Sequence, residues 1–282
     1  MDSEGERPGR VRPSAPASAD PLLPILELPG VTDALDSARA AVDALLWHRQ
    51  IAARRAAVRA ESALRGAWAS AWFEGAECGL AELRTGAALD VSPVGRVLAN
   101  AVAVHADLAD LATVIGTAPA QALARMHALV AHGFVPDDEL GRPRTTAEAD
   151  DALRLGPLPA PDEVSERMAA LSTLLVSSTA PGLLVAAIAH AEVAALRPFG
   201  WGSGLVARAL IPVVLAQRGV DPELLSVPEA GLRAVGRPAY VRAVRGYARG
   251  SADGVAAMVD LVAAAVERGA REPSAWAAQL DA

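Results

Sequence analysis

From Asp33 onward, apolar residues recur at intervals of three and four, the period of helices that bury one face. Asp33 is placed to cap an Ala, Leu and Arg run that continues through Trp47 to Arg65, and a second helix is predicted over 67–83. After a loop at 90–93, Val97, Ala101, Val104, Leu108 and Leu111 form one stripe of a helix over 94–114. Pro119 opens the next helix, which ends before Gly133. The period then disappears from 133 to 161. Gly141-Arg142-Pro143-Arg144-Thr145 has turn chemistry, and Gly156-Pro157-Leu158-Pro159-Ala160-Pro161 cannot sustain helical hydrogen bonds. A long surface excursion is expected there, with Glu148-Ala149-Asp150-Asp151 in solvent.

Helices resume at Asp162, where Asp162, Ser165 and Glu166 supply caps and negative charge at a helix start. The run from Leu183 to Leu196 is apolar on nearly every face and predicts a central buried helix. A glycine-rich loop follows at once. Val206 to Arg218 forms the next helix, with Pro212 inside it as an expected kink, and two more run from Pro238 to Arg249 and from Ala252 to Arg268. The reading is all-α.

The chain has 282 residues, of which 52% are apolar but 4% aromatic, so its core is built from Ala, Leu and Val, a helix-favouring mixture. All 26 basic residues are arginine, a bias without functional weight. The formal charge of −7 excludes the usual basic footprint of a nucleic-acid binder. Cys78 is the only cysteine, so neither an intrachain disulfide nor a multi-cysteine zinc site exists, and a buried thiol in a helix is expected. The most apolar stretch, Ala180 to Ala189, is interrupted by His190 and Glu192 well short of the ~20 residues of a membrane span. With no apolar block after the charged N-terminus, a cytoplasmic protein is expected.

The chemistry worth weighing lies at Arg197-Pro198-Phe199-Gly200-Trp201-Gly202-Ser203-Gly204-Leu205-Val206-Ala207-Arg208. Exposed N–H groups of such a loop, together with the helix start behind them, favour anions, although glycine equally permits a tight turn with no ligand. The segment resembles the HPFx[DE]GNGRxxR signature of the Fic (Fido-domain) nucleotide transferases. Pro198, Phe199, Gly202, Gly204 and Arg208 fit it. Arg197 stands where the family has its catalytic histidine, Trp201 where it has a metal-binding acid, Ser203 for asparagine and Leu205 for the first arginine. Met126-His127-Ala128-Leu129-Val130, Gly141, Arg144-Thr145 and His190 look like further landmarks of a Fic core over 120–260. Ser70-Ala71-Trp72-Phe73-Glu74-Gly75 fits the family's inhibitory-helix motif.

The resemblance implies a Fic helical fold with N-terminal helices and a flap over the loop, here 145–155, short and poor in β-branched residues. It implies that Gly202, Ser203, Gly204 and Arg208, with Arg197 beside them, would hold phosphate, and that Ser70, Glu74 and Gly75 would regulate the site through a Glu74–Arg208 pair. It also implies that catalysis is impaired. Arg197 stays charged and cannot act as a base, and Trp201 cannot ligate Mg²⁺. No catalytic residue, metal site or cofactor is assigned, ATP or another nucleotide being the candidate ligand. The expected function is that of a pseudoenzyme that binds an unidentified protein partner, with a homodimer, an altered transferase and a purely structural module as competing readings. His190 is expected to be a packed core residue, and His127 and His132 to form no site. The expected organisation is a disordered tail over 1–22, N-terminal helices over 23–115, a Fido core over 116–268 and a C-terminal tail over 269–282.

Overall fold

A computed structural model describes residues 20–280, and the expected disorder of residues 1–19 lies outside them. Residues 20–22, assigned to that tail by the sequence, are instead docked. Leu22 is buried, and the Asp20 carboxylate accepts hydrogen bonds from Leu22 N (3.0 Å), Thr179 N (2.6 Å) and Ser178 Oγ (2.9 Å). Burial works against that charge, but the accepted hydrogen bonds outweigh it and hold the Asp20 carboxyl down at about 2.

The run predicted as one helix from Asp33 to Arg65 is three: α1 (Val31–Leu46), the single turn α2 (Arg49–Ala52) and α3 (Arg55–Phe73). Left-handed Gly30, not Asp33, occupies the N-cap of α1. The helix predicted over 67–83 is divided too, because α3 runs through residue 67 and stops at Glu74, leaving the short α4 (Leu80–Thr85) after it. Cys78 therefore sits half-buried in a loop rather than in a helix. Burial, then the charge of Glu82, pushes its thiol up. The apolar stripe over 94–114 breaks at Asp107 into α5 (Pro93–Ala106) and α6 (Leu108–Ile115), 56° apart. Helix α7 (Pro119–Ala131) starts and stops as predicted.

After the aperiodic segment come α8 (Pro161–Ser177), α9 (Gly182–Leu196) and α10 (Ser203–Gln217), which contains Pro212. Three helices close the chain: α11 (Pro228–Val235), which the sequence reading missed, α12 (Arg237–Ala248) and α13 (Ala252–Trp276). Residues 269–276, expected in a C-terminal tail, continue α13, whose buried positions run on through Gly269, Ala270, Pro273 and Trp276.

Helix α9 is the centre of the molecule. Residues 183–191 and 193–196 are buried, and α10, α13, α12, α8 and α1 pack around it. It is apolar nearly all round because only Gly182 and Glu192 of it are partly exposed. His190, fully buried, places Nδ1 2.8 Å from the Ala207 carbonyl of α10, and burial lowers its pKa to about 4, so the ring is neutral with Nδ1–H donating. The N-terminal helices join the same core, α1 against α13 and α3 against α5 and α11. No helix among the described residues is by itself long and apolar enough to cross a membrane.

Candidate functional site

The site forms where α9 ends, α10 begins and α3 stops beside them. Arg197 caps α9 in the left-handed conformation (φ 45°), a strained choice for a residue with a Cβ. Its backbone carbonyl accepts from Arg144 Nε at 2.9 Å. Gly202, at φ 78°, makes the second left-handed turn, and Ser203 closes the loop by accepting from Phe199 N at 3.0 Å. These torsions explain a glycine at 202, whereas at 197 the chain carries the strain and offsets it with contacts.

Those contacts engage both terminal nitrogens of Arg197 and leave Nε buried without a hydrogen-bond partner among the described residues. Its Nη1 meets Asp151 Oδ2 at 2.7 Å and Gly156 O at 2.8 Å, and Nη2 donates to Pro157 O at 2.6 Å. The residue is 4% exposed. Its side-chain hydrogen bonds run to segment 151–157, and it lines the small space it shares with Gly202, Ser203, Gly204 and Arg208.

In the acidic run Glu148 and Asp150 are exposed as expected, and Asp151 alone turns partly inward to meet Arg197. Asp150 N donates to Gly200 O and Arg144 N to Pro198 O, both at 2.7 Å, so segment 144–151 is tied along the loop without forming a strand. Buried Arg144 completes the tie, donating to Thr146 O (2.7 Å) and Pro159 O (2.6 Å). The Asp150 carboxyl is pushed up by partial burial first, and then by the negative charges of Glu74 and Asp151.

Arg208 emerges on α10 at the bottom of the same space and is fully buried. Its Nη2 pairs with Glu74 Oε1, its Nε donates to Ser70 Oγ at 2.9 Å, and its guanidinium lies 4.9 Å from the centre of the Phe73 ring. Ser70 and Glu74, one turn apart on α3, thus grip one guanidinium together. Gly75 is required for this. Helix α3 ends in a Schellman turn, with Gly75 N on Trp72 O (3.1 Å) and Ala76 N on Ala71 O (3.1 Å), and Gly75 takes the left-handed position at φ 81°. Gly204 admits the carboxylate, since a Cβ there would lie 2.6 Å from Glu74 Oε1. The motif Ser70 to Gly75 therefore encodes a helix stop and a carboxylate aimed at Arg208. Arg208 Nη1 is buried without a hydrogen-bond partner among the described residues.

The remaining motif positions point elsewhere. Trp201 stacks on Phe134, ring centres 3.9 Å apart, and Leu205 is fully buried in the core. His127, which the sequence reading set aside, holds the loop from beneath. Its Nδ1 accepts from Gly141 N at 2.8 Å, its Nε2 meets Trp201 O at 3.1 Å, and its ring stacks on Phe199 at 4.0 Å. Burial lowers its pKa to about 4, which keeps it the neutral donor and acceptor this geometry requires. The spacing of His127 from the loop in sequence gave no signal of this role beyond the family landmark.

Between loop, flap and Glu74 the free space is about 20 Å³, room for about one water molecule. A small-molecule pocket needs several hundred Å³. The Mg²⁺-nucleotide that the fold implies does not fit this site. The position of the metal-binding acid holds an indole facing Phe134, the first arginine is a core leucine, and the Glu74 carboxylate occupies Arg208. Among the described residues no group of three or more His, Cys, Asp or Glu side chains has metal-site geometry.

No protein-family model and no curated protein sequence matches the chain. Solved structures do. A Fic family protein from Desulfovibrio desulfuricans G20 superposes with TM-score 0.69 at 22% identity, covering 88% of this chain and 74% of its own. Fic-1 from C. elegans gives 0.67 at 19% identity, covering 89% and 74%. A glutamate-to-glycine form of Fic-1 gives 0.63 at 21%, covering 92% and 75%. The chain has the Fic helical fold, as the loop motif led us to expect.

Proposed function

We propose that this Fido-fold protein is a pseudoenzyme that acts by binding a protein partner rather than by transferring a nucleotide. The observation that carries the proposal is Arg197 at the histidine position, its two terminal nitrogens engaged by Asp151 and the carbonyls of Gly156 and Pro157. A permanently charged donor cannot take a proton from a hydroxyl. The neighbouring departures at Trp201 and Leu205 agree with this reading. What survives of the machinery is the part that braces the fold, Ser70, Glu74 and Arg208.

The test is incubation of the purified protein with Mg²⁺ and α-labelled ATP, alone and with cell lysate. No label is expected on the protein or on lysate proteins. Labelling that Arg197→Ala abolishes would overturn the proposal in favour of an altered transferase. Arg197→His alone should restore nothing, because the acid, the asparagine and the first arginine are still missing. One observation favours a nucleotide-binding reading, the buried Arg208 Nη1, which neither Glu74 nor Ser70 engages. Calorimetry with ATP, ADP, GTP and CDP derivatives on wild type and Glu74→Gly decides that point. Binding in neither protein leaves Glu74 as a brace, whereas binding gained in Glu74→Gly makes it a switch.

A further inference from the structure

On the far side of segment 155–159 from the glycine loop lies a second cleft, of about 540 Å³, between that segment and α12. Its floor is apolar, formed by Leu155, Pro157, Pro159, Ala195, Val244 and Ala248. Arg245 and Arg249 line it as well, one helical turn apart. Arg242 precedes them at three-residue spacing, and Arg154 is brought alongside because Arg245 Nη2 donates to its carbonyl. All four arginines are exposed, and among the described residues no carboxylate pairs with any of them. The one acidic residue on the cleft, Glu163, is already engaged by Arg167 Nη1 at 2.9 Å. In a chain of net charge −7, two unpaired arginines on an apolar cleft, with Arg154 and Arg242 next to them in the chain or by contact, run against the trend of the whole surface. The floor is preorganised, since the Gly156 and Pro157 carbonyls are both held by Arg197.

We infer that this cleft docks an acidic segment of a partner protein, one in which glutamate or aspartate is interspersed with apolar residues. The carboxylates meet Arg245, Arg249 and their two neighbours, and the apolar side chains cover the proline floor. A nucleic acid would also bring negative charge, but the cleft lining offers no aromatic ring on which its bases could stack. This inference names the partner class for the reading above and rests on it.

Fluorescence anisotropy of the full chain with a labelled peptide of interspersed glutamate and leucine tests it, against the same peptide with glutamine for glutamate and against labelled oligo(dT). The glutamate peptide should bind at least about tenfold more tightly than either control. Its binding should weaken as salt rises from about 0.05 M to about 0.5 M. Arg245→Glu with Arg249→Glu should weaken it at least about tenfold with the thermal midpoint unchanged, and the milder Arg245→Gln with Arg249→Gln serves if the reversal does not fold. Equal binding of the glutamine peptide, tighter binding of oligo(dT), or indifference to these substitutions overturns the inference. Nucleotide labelling in the transfer assay would overturn the pseudoenzyme reading alone, leaving the cleft as a dock for whatever is modified.

Discussion

Arg208 and Glu74 form a charge pair inside the core. The guanidinium is fully buried and the Glu74 side chain nearly so, so each charge depends on the other for its solvation. Removing one partner leaves an uncompensated buried charge, and Glu74→Ala should cost about 3–5 kcal/mol in denaturant titrations. Glu74→Gln, which keeps an acceptor for Arg208 Nη2, should cost less. The two neutral histidines have a pH signature. Folded-state values of about 4 for His127 and His190 lie below the unfolded value of 6.5, so the unfolded chain takes up protons first as the solution is acidified. Stability is therefore complete above about pH 6.5 and falls as the pH drops toward 4, by on the order of 2–3 kcal/mol per histidine. Thermal midpoints between pH 7 and 4.5 check this. His190→Asn, which keeps a donor for Ala207 O, should flatten part of the slope.

Helix ends and helix crossings decide where the site residues point. If α3 ran one turn further, Glu74 would lie inside a helix rather than at the end of one. Gly75→Ala forces a Cβ into the left-handed position and should cost about 1 kcal/mol, with loosening of the Glu74–Arg208 contact visible in hydrogen exchange at the end of α3. Glycine matters differently at 231. There α11 crosses α13 so closely that a Cβ would overlap the Ala265 carbonyl oxygen and main chain. Gly231→Ala must push two helices apart, and a loss of about 1–3 kcal/mol is expected from thermal unfolding. The same crossing joins α3 to the core through α11, so the loss should also reach the Glu74 brace.

The molecule is stabilised as one body, because the N-terminal helices pack on the rest of the chain as well as on one another. Buried positions of α1 lie against α13, and those of α3 against α11 as well as α5. A single calorimetric transition is expected, with residues 23–115 unable to fold when expressed alone. Two resolved transitions would show that this region is a separate unit.

How much of this was legible in the chain depends on range. The helix over 183–196, the glycine punctuation after it and the missing histidine and acid are local facts, since period and residue type act within a few turns. The Glu74–Arg208 pair was legible through the motif, whose residues also specify the helix stop that delivers the carboxylate. Helix breaks at 47–54 and 107 were not, because the apolar period runs through them and tertiary packing sets the turn. Nor were the fates of Arg197, Asp151 and His127. They are fixed by segment 133–161, which has no period. Its path is set by hydrogen bonds to carbonyls some fifty residues away in sequence, such as Arg144 N to Pro198 O and Asp150 N to Gly200 O. The sequence alone determined that the loop lacks a base and a metal ligand. The tertiary structure alone decided that Arg197 ties down segment 151–157, that Trp201 stacks on Phe134 and that Leu205 joins the core, because partners distant in the chain can be chosen only once the core has brought them together.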